Sequence, residues 1–272
     1  MRSVLMTGAA GGVAGRLRAL LTGVYPELRV SDLTPPADLR PTERFVAADL
    51  RDLAAVERAV DGVDGIIHLG AASVERPWPT ILEANIIGSY NLFEAARRAR
   101  VKRVVFASSN HVVGFYPRRR RIGVDTLPRP DSRYGVSKAF GESLGAYYAD
   151  KFGLRVLAIR IGNVADAPVD ERRLSIWITP DDLVQLVRIG LEHPELHYAV
   201  VYGASDNARS WWDNDTAFRL GYRPIGRAED HRDSALAAQS KLPVDPVGDR
   251  FQGGSFCSDE YEGDVERSGS SQ

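Results

Sequence analysis

The stretch Thr7-Gly8-Ala9-Ala10-Gly11-Gly12-Val13-Ala14-Gly15 limits what this chain can become more than any other. It follows a short apolar run at 4–7 and leads into a helical pattern that continues to about residue 22. Glycine allows the sharp turn and a close approach of the backbone to a ligand. A helix start then offers free N–H groups and the positive end of its dipole. A merely structural tight turn would use the same glycines. Strand before and helix after are the context in which such a turn cradles a pyrophosphate, so Gly8, Gly11, Gly12 and Val13 are candidate cofactor contacts.

The rest of the chain repeats that alternation. Strand-like runs at 4–7, 28–31, 44–48, 65–69, 103–107, 155–159 and 198–202 are separated by helical patterns at 52–60, 81–100, 134–151 and 180–191. In the last of these, Pro180-Asp181-Asp182 reads as a helix start with an Asp available as cap. Short apolar strands alternating with amphipathic helices predict an α/β fold. It is a Rossmann-type doubly wound parallel sheet with a small C-terminal substrate-capping region. The expected divisions are 1–160 for the NAD-binding part carrying the catalytic groups and 161–257 for the substrate portion and last sheet elements of the same compact unit. Residues 258–272, rich in Ser, Gly and acid, are expected to be a disordered tail.

Asp32 closes the second strand about 20 residues after the glycine turn, where a carboxylate can accept bonds from ribose hydroxyls and repel a 2′-phosphate. Leu33 follows it, not an arginine, so the expected cofactor is NAD and not NADP. Asp49 and Leu50 after the third strand are candidate adenine contacts, with helix capping the competing role for this acidic segment. Leu69, Gly70 and Ala71 after the fourth strand, and Asn85 beyond them, complete the cofactor set. His68 reads as a satisfied core histidine.

Tyr134 and Lys138 stand four residues apart on a predicted helix, hence on one face. A phenol with a pKa of about 10 is a poor base at neutral pH. A cation about 4 Å away at an effective dielectric near 20 is worth at most roughly 4 kcal/mol, about three pK units, in favour of the phenolate. Ser109, at the end of the fifth strand, lies 25 residues before Tyr134 and could bond the reacting oxygen.

This Ser–Tyr–Lys set, with the glycine spacing Gly8, Gly11, Ala14, resembles the extended short-chain dehydrogenases of the NAD-dependent epimerase/dehydratase family. Within that family, Ser108-Ser109-Asn110-His111, Arg160-Ile161-Gly162-Asn163, Trp211-Trp212-Asp213-Asn214 and Arg250-Phe251-Gln252-Gly253-Gly254-Ser255-Phe256 resemble the uronate dehydrogenases over nearly the whole chain to about Phe256. The resemblance implies oxidation of D-galacturonate and D-glucuronate at C1 by NAD, giving an aldarolactone. It also implies a substrate site of Ser73, Ser109, Asn110, His111, Tyr134, Asn163, Arg172 and Phe256. Arg172 would hold the uronate carboxylate, with Arg173 competing for the role. Asn163 departs from the Ser often found at that position. A nucleotide-sugar epimerase or reductase is the alternative, although such enzymes usually carry a larger C-terminal part. A non-catalytic NAD-sensing regulator is the third reading, and such proteins usually lack the Tyr/Lys pair.

Composition excludes other classes. A formal net charge of −1 gives no electrostatic case for nucleic acid or an anionic membrane. No apolar run reaches the roughly 18 residues of a membrane span, and the N-terminus is too short for a signal peptide. Cys257 is the single cysteine, which excludes an internal disulfide and fits a cytoplasmic protein. No metal site is expected. A homo-oligomer is expected by analogy with relatives. The run Arg118-Arg119-Arg120-Arg121 reads as a solvated loop, with an oligomer contact or anion site the alternative.

Overall fold

The structure, a computed structural model, describes residues 1–268. Among these residues, seven parallel strands form one sheet in the order β3-β2-β1-β4-β5-β6-β9. The strands are β1 (Ser3–Thr7), β2 (Glu27–Asp32), β3 (Glu43–Ala47), β4 (Gly65–His68), β5 (Arg103–Ser109), β6 (Arg155–Ile161) and β9 (Tyr198–Gly203). A separate pair, β7 (Asn163–Val164) with β8 (Trp177–Ile178), follows β6. The central strands are buried throughout, as strands covered on both faces must be.

Two apolar layers hold the sheet. On one face α1 (Gly12–Leu21) and α5 (Pro180–Glu192) bury Leu17, Leu21, Leu186 and Leu191 against Met6 and Val30. On the other, α2 (Leu53–Val60), the long helix α3 (Trp78–Arg98) and α4 (Arg133–Phe152) bury Val56, Leu92, Phe93 and Tyr148 against Leu5, Ile66 and Phe106. The chain reverses its winding direction between β1 and β4, so the loops after these strands open a crevice at their carboxyl ends.

Several elements depart from expectation. α3 begins at Trp78, three residues early, and is not one regular helix. It is α-helical over Trp78–Ile81, π-helical over Leu82–Ile87 and α-helical again over Gly88–Arg98. Hydrophobic spacing cannot reveal a π segment this short. α5 is capped by Thr179, whose Oγ1 accepts the Asp182 N–H at 3.0 Å, and not by an Asp. Asp182 is instead fully buried and accepts the backbone N–H groups of Ile225 and Gly226.

Part of the 204–256 segment is anchored to the end of the sheet. Trp212 stacks on Tyr202 at 4.7 Å and donates Nε1–H to Gln252 Oε1 at 2.9 Å. The Asn214 amide bonds both the N–H and the C=O of Tyr202, so the Trp-Trp-Asp-Asn motif clamps the end of β9. Arg118 donates to the carbonyls of Gly248 and Phe251, which makes it an anchor for the C-terminal segment and not a solvated loop residue. In the described part of the expected tail, Glu260 pairs with Arg133 and Glu266 with Arg250. Residues 269–272 of that expectation lie outside the described residues.

Candidate active site

Gly8 sits at φ +68, a conformation that favours glycine, and a Cβ there would lie 2.6 Å from the Gly70 backbone nitrogen. Gly70 is equally confined, since a Cβ would meet Leu50 at 2.8 Å. The turns after β1 and β4 are therefore pressed together at the switch point. The Gly8 carbonyl accepts the Gly11 N–H at 3.1 Å, which closes the turn, and Gly11 opens α1 without a side-chain cap. The first N–H groups of α1 are left to face the crevice.

A cavity of about 770 Å³ runs from this turn across the carboxyl ends of the strands. Gly8, Gly11, Gly12, Val13, Asp32, Leu33, Asp49, Leu50, Leu69, Gly70 and Ala71 line one end; Ser73, Ser109, Asn110, His111, Tyr134, Lys138 and Asn163 line the other. Asp32 is fixed by the N–H groups of Ala10 (2.9 Å) and Leu33 (2.7 Å). Asp49 is gripped by Arg51, which holds its carboxyl below the usual carboxylate range. The helix-capping role belongs to Asp52, which accepts from Ala54 and Ala55. A dinucleotide fits this lining. The glycine cradle would be filled by any Cβ, the helix start supplies free donors, and a carboxylate stands at the ribose position.

Three sequence-predicted residues do not line the cavity. Asn85, in the π segment, is buried. Its amide bonds the N–H of Ala72 at 2.8 Å, the C=O of Ala72 at 3.1 Å and Ser137 Oγ at 2.9 Å. It thus joins α3, the loop after β4 and α4 behind the wall. Phe256 stands behind His111, stacked on its ring at 3.8 Å. Arg172 lies behind Asn110, which accepts from Arg172 Nη2 at 3.1 Å while its own amide N–H goes to Ile161 O at 3.1 Å. Arg172 Nε donates to Gln252 O at 2.9 Å. No carboxylate among the described residues pairs with Arg172, whereas Arg173 is engaged by Asp170. Burial above all, then the neighbouring Arg173 and Arg118, pushes the Arg172 guanidinium down to about 10.

At the reacting end, Ser132 caps α4 by accepting the Gly135 N–H at 3.0 Å, and Glu75 accepts the Tyr134 N–H at 2.9 Å. This sets the Tyr134 ring at the cavity wall, with Lys138 one turn on. The Lys138 Nζ donates to Ala107 O at 2.7 Å and lies 5.6 Å from the Tyr134 ring centre. The expected lowering of the phenol does not occur. Burial pushes Tyr134 up to about 12; a bond from Ser109 pulls it partly back and Asp131 adds to the rise. Burial also pushes the Lys138 ammonium down to about 8. Loss of water outweighs the pairing for both groups, because each charged form loses its hydration and neither gains a close counter-charge.

His68 is the satisfied core residue the sequence suggested. It bonds Thr7 Oγ1 at 2.7 Å, and burial holds it neutral, down to about 3. Sequence reasoning missed Glu75 and Asp131, acids in irregular loops whose roles depend on which helix end they meet. It also missed the buried Glu142–Arg160 pair beneath Ser108.

The fold and this constellation define a class. The chain belongs to the NAD-dependent epimerase/dehydratase family, whose profile matches residues 4–195. Uronate dehydrogenase of Pseudomonas putida is 45% identical to it over 255 residues, 93% of this chain and 95% of that protein. The crystal structure of a glucuronic acid dehydrogenase from Chromohalobacter salexigens is 46% identical, with a TM-score of 0.90, covering 94% of this chain and 97% of that one. Uronate dehydrogenase from Agrobacterium tumefaciens, solved as a tyrosine-to-alanine variant with NAD, gives a TM-score of 0.90 at 45% identity, covering 95% and 97%. Within the family the chain therefore stands with the uronate dehydrogenases.

Proposed function

We propose that this protein oxidises the C1 hydroxyl of D-galacturonate or D-glucuronate to the aldarolactone, with NAD as cofactor. The observation that carries the choice of substrate is Arg172: a part-buried guanidinium without a carboxylate partner among the described residues, one residue removed from the reacting end through Asn110. Such a cation calls for an anion, and the C6 carboxylate of a uronate supplies one.

NAD, when bound, would supply the hydride acceptor for C1. The residues of the chain do the rest. Ser109 and Tyr134 bond the C1 oxygen, and Tyr134 in its ionised form, having first released its own proton to solvent, takes the hydroxyl proton as the C1–H bond breaks. A phenol at about 12 is a strong base once ionised but is seldom ionised at neutral pH, so the bond from Ser109, which favours the ionised form, raises the share of the competent state. Lys138, retaining its proton below about pH 8, supplies the positive charge on the same helix face. Asn110, Ser73 and Asn163 bound the sugar, with Phe256 backing the His111 ring. Gly8, Gly11, Gly12, Val13, Asp32, Leu33, Asp49, Leu50, Leu69, Gly70 and Ala71 hold the dinucleotide, with Asn85 bracing their loop.

In this reading, residues 1–160 form the NAD-binding part with the catalytic groups, and 161–257 complete the substrate side of the same unit. We also infer a cytoplasmic homo-oligomer, the lone buried Cys257 having no use for an oxidising compartment. No helix among the described residues is long and apolar enough to cross a membrane. NADH formation with galacturonate, glucuronate, glucose and UDP-glucose in parallel tests the reading. Turnover of the two uronates far above the others is expected, and preference for UDP-glucose would replace it with a nucleotide-sugar enzyme.

A further inference from the structure

His111 lines the reacting end of the cavity and is held from behind. Its Nδ1 lies 2.7 Å from Asp131 Oδ2, and the Asp131 side chain is fully buried. The other carboxylate oxygen accepts Ser132 Oγ–H at 2.8 Å, and the Asp131 N–H donates to His111 O at 3.3 Å. The site around this carboxylate is closely built. A Cβ on Gly114 or Gly253 would fall about 2 Å from Asp131 Oδ2, so both strands of loop need glycine to admit it. The His111 ring is clamped between Phe256, stacked at 3.8 Å, and Tyr134, edge-on at 5.9 Å. With ring plane and Nδ1 both fixed, only Nε2 faces outward, and it has no partner among the described residues.

We propose that Asp131 is a positioning residue that fixes His111 as the Nδ1–H tautomer, so that the bare Nε2 accepts a hydrogen bond from a ring hydroxyl of the sugar. An ionised carboxylate can only accept, so the proton of the His111–Asp131 bond resides on Nδ1. In the neutral ring the second nitrogen is then an acceptor. An acceptor suits a hydroxyl and repels a carboxylate, which divides the work at this end of the cavity: Arg172 takes the acid and His111 takes an alcohol. The inference rests on the uronate reading for the identity of the sugar, but the tautomer itself does not.

The test uses Asp131→Asn, which keeps shape and volume, and His111→Phe, which keeps the stack on Phe256. Two-bond ¹H–¹⁵N spectra of the NAD-bound enzyme at pH 8 are expected to show the His111 proton on Nδ1 in the native protein and its partial or full transfer to Nε2 in D131N. In kinetics, D131N is expected to lower kcat/KM about 10- to 100-fold, the cost of facing a hydroxyl donor with a donor. That fall should be equal for glucuronate and glucose, and D131N should add less than about threefold when built onto H111F. An unchanged tautomer in D131N, or additive losses in the double variant, overturns the proposal. A penalty confined to glucuronate also overturns it, because His111 would then be reading the carboxylate. If the native enzyme oxidises no uronate, the functional reading fails while the spectra still decide the tautomer.

Discussion

Replacing Arg172 by methionine removes the guanidinium and keeps most of its apolar volume. The guanidinium is part-buried and has no carboxylate partner among the described residues, its nearest bonds going to the neutral acceptors Gln252 O and Asn110. In the proposed complex, a uronate carboxylate reaching it past Asn110 would supply one. Removing one member of a buried charged pair costs about 3–5 kcal/mol. At about 1.4 kcal/mol per decade this is roughly two to three and a half orders of magnitude in kcat/KM. Arg172 also props Asn110, and that loss weakens every substrate alike. The decisive quantity is therefore the ratio of kcat/KM for glucuronate to that for glucose, measured by NADH formation on native protein and R172M. The ratio is expected to be about 10²–10³ in the native enzyme and to collapse towards unity in the variant. Equal proportional losses on both sugars would refute the reasoning, since Arg172 would then be a scaffold residue and the acid would be bound elsewhere.

Other perturbations probe the remaining parts. Tyr134→Phe should cut kcat by about 10²–10⁴-fold, the usual worth of a positioned proton acceptor, while NADH binding measured by fluorescence changes little. Asp32→Ala should raise the KM for NAD and narrow the preference for NAD over NADP, read from parallel titrations with the two cofactors. Lys138→Met tests the burial of the ammonium through stability. The folded pKa of Lys138, about 8, lies below the ordinary value of 10.5, so between these values the unfolded chain binds more protons than the folded one. The contribution of this group to stability therefore rises with pH across that window. Urea midpoints should show native protein gaining on K138M between pH 7.5 and pH 9.5.

Much of the fold was legible because its signals are local. The glycine turn, the strand alternation and the Tyr134–Lys138 spacing are each set within a few residues, and strands buried on both faces must be apolar whatever their neighbours. The π segment of α3 was not legible, because it conserves the hydrophobic face while changing the hydrogen-bond register. Asn85 shows the consequence: its amide was assigned to the cofactor, yet it bridges three elements that are remote in sequence.

The sequence by itself determined the class: a dinucleotide turn, an acid at the ribose position, and a tyrosine and lysine on one helical face. What tertiary structure alone decided was the electrostatic state of those groups and the choice among neighbours. Proximity of Lys138 was expected to acidify Tyr134, but burial governs both and moves the phenol up and the ammonium down. Adjacent arginines are indistinguishable in sequence, and only the fold gives Arg173 to Asp170 and leaves Arg172 beside Asn110. The physical reason is common to these cases. Hydration and counter-charges are set by which groups pack around a side chain, and for Arg172 those groups, Asn110 and Gln252, come from separate parts of the chain.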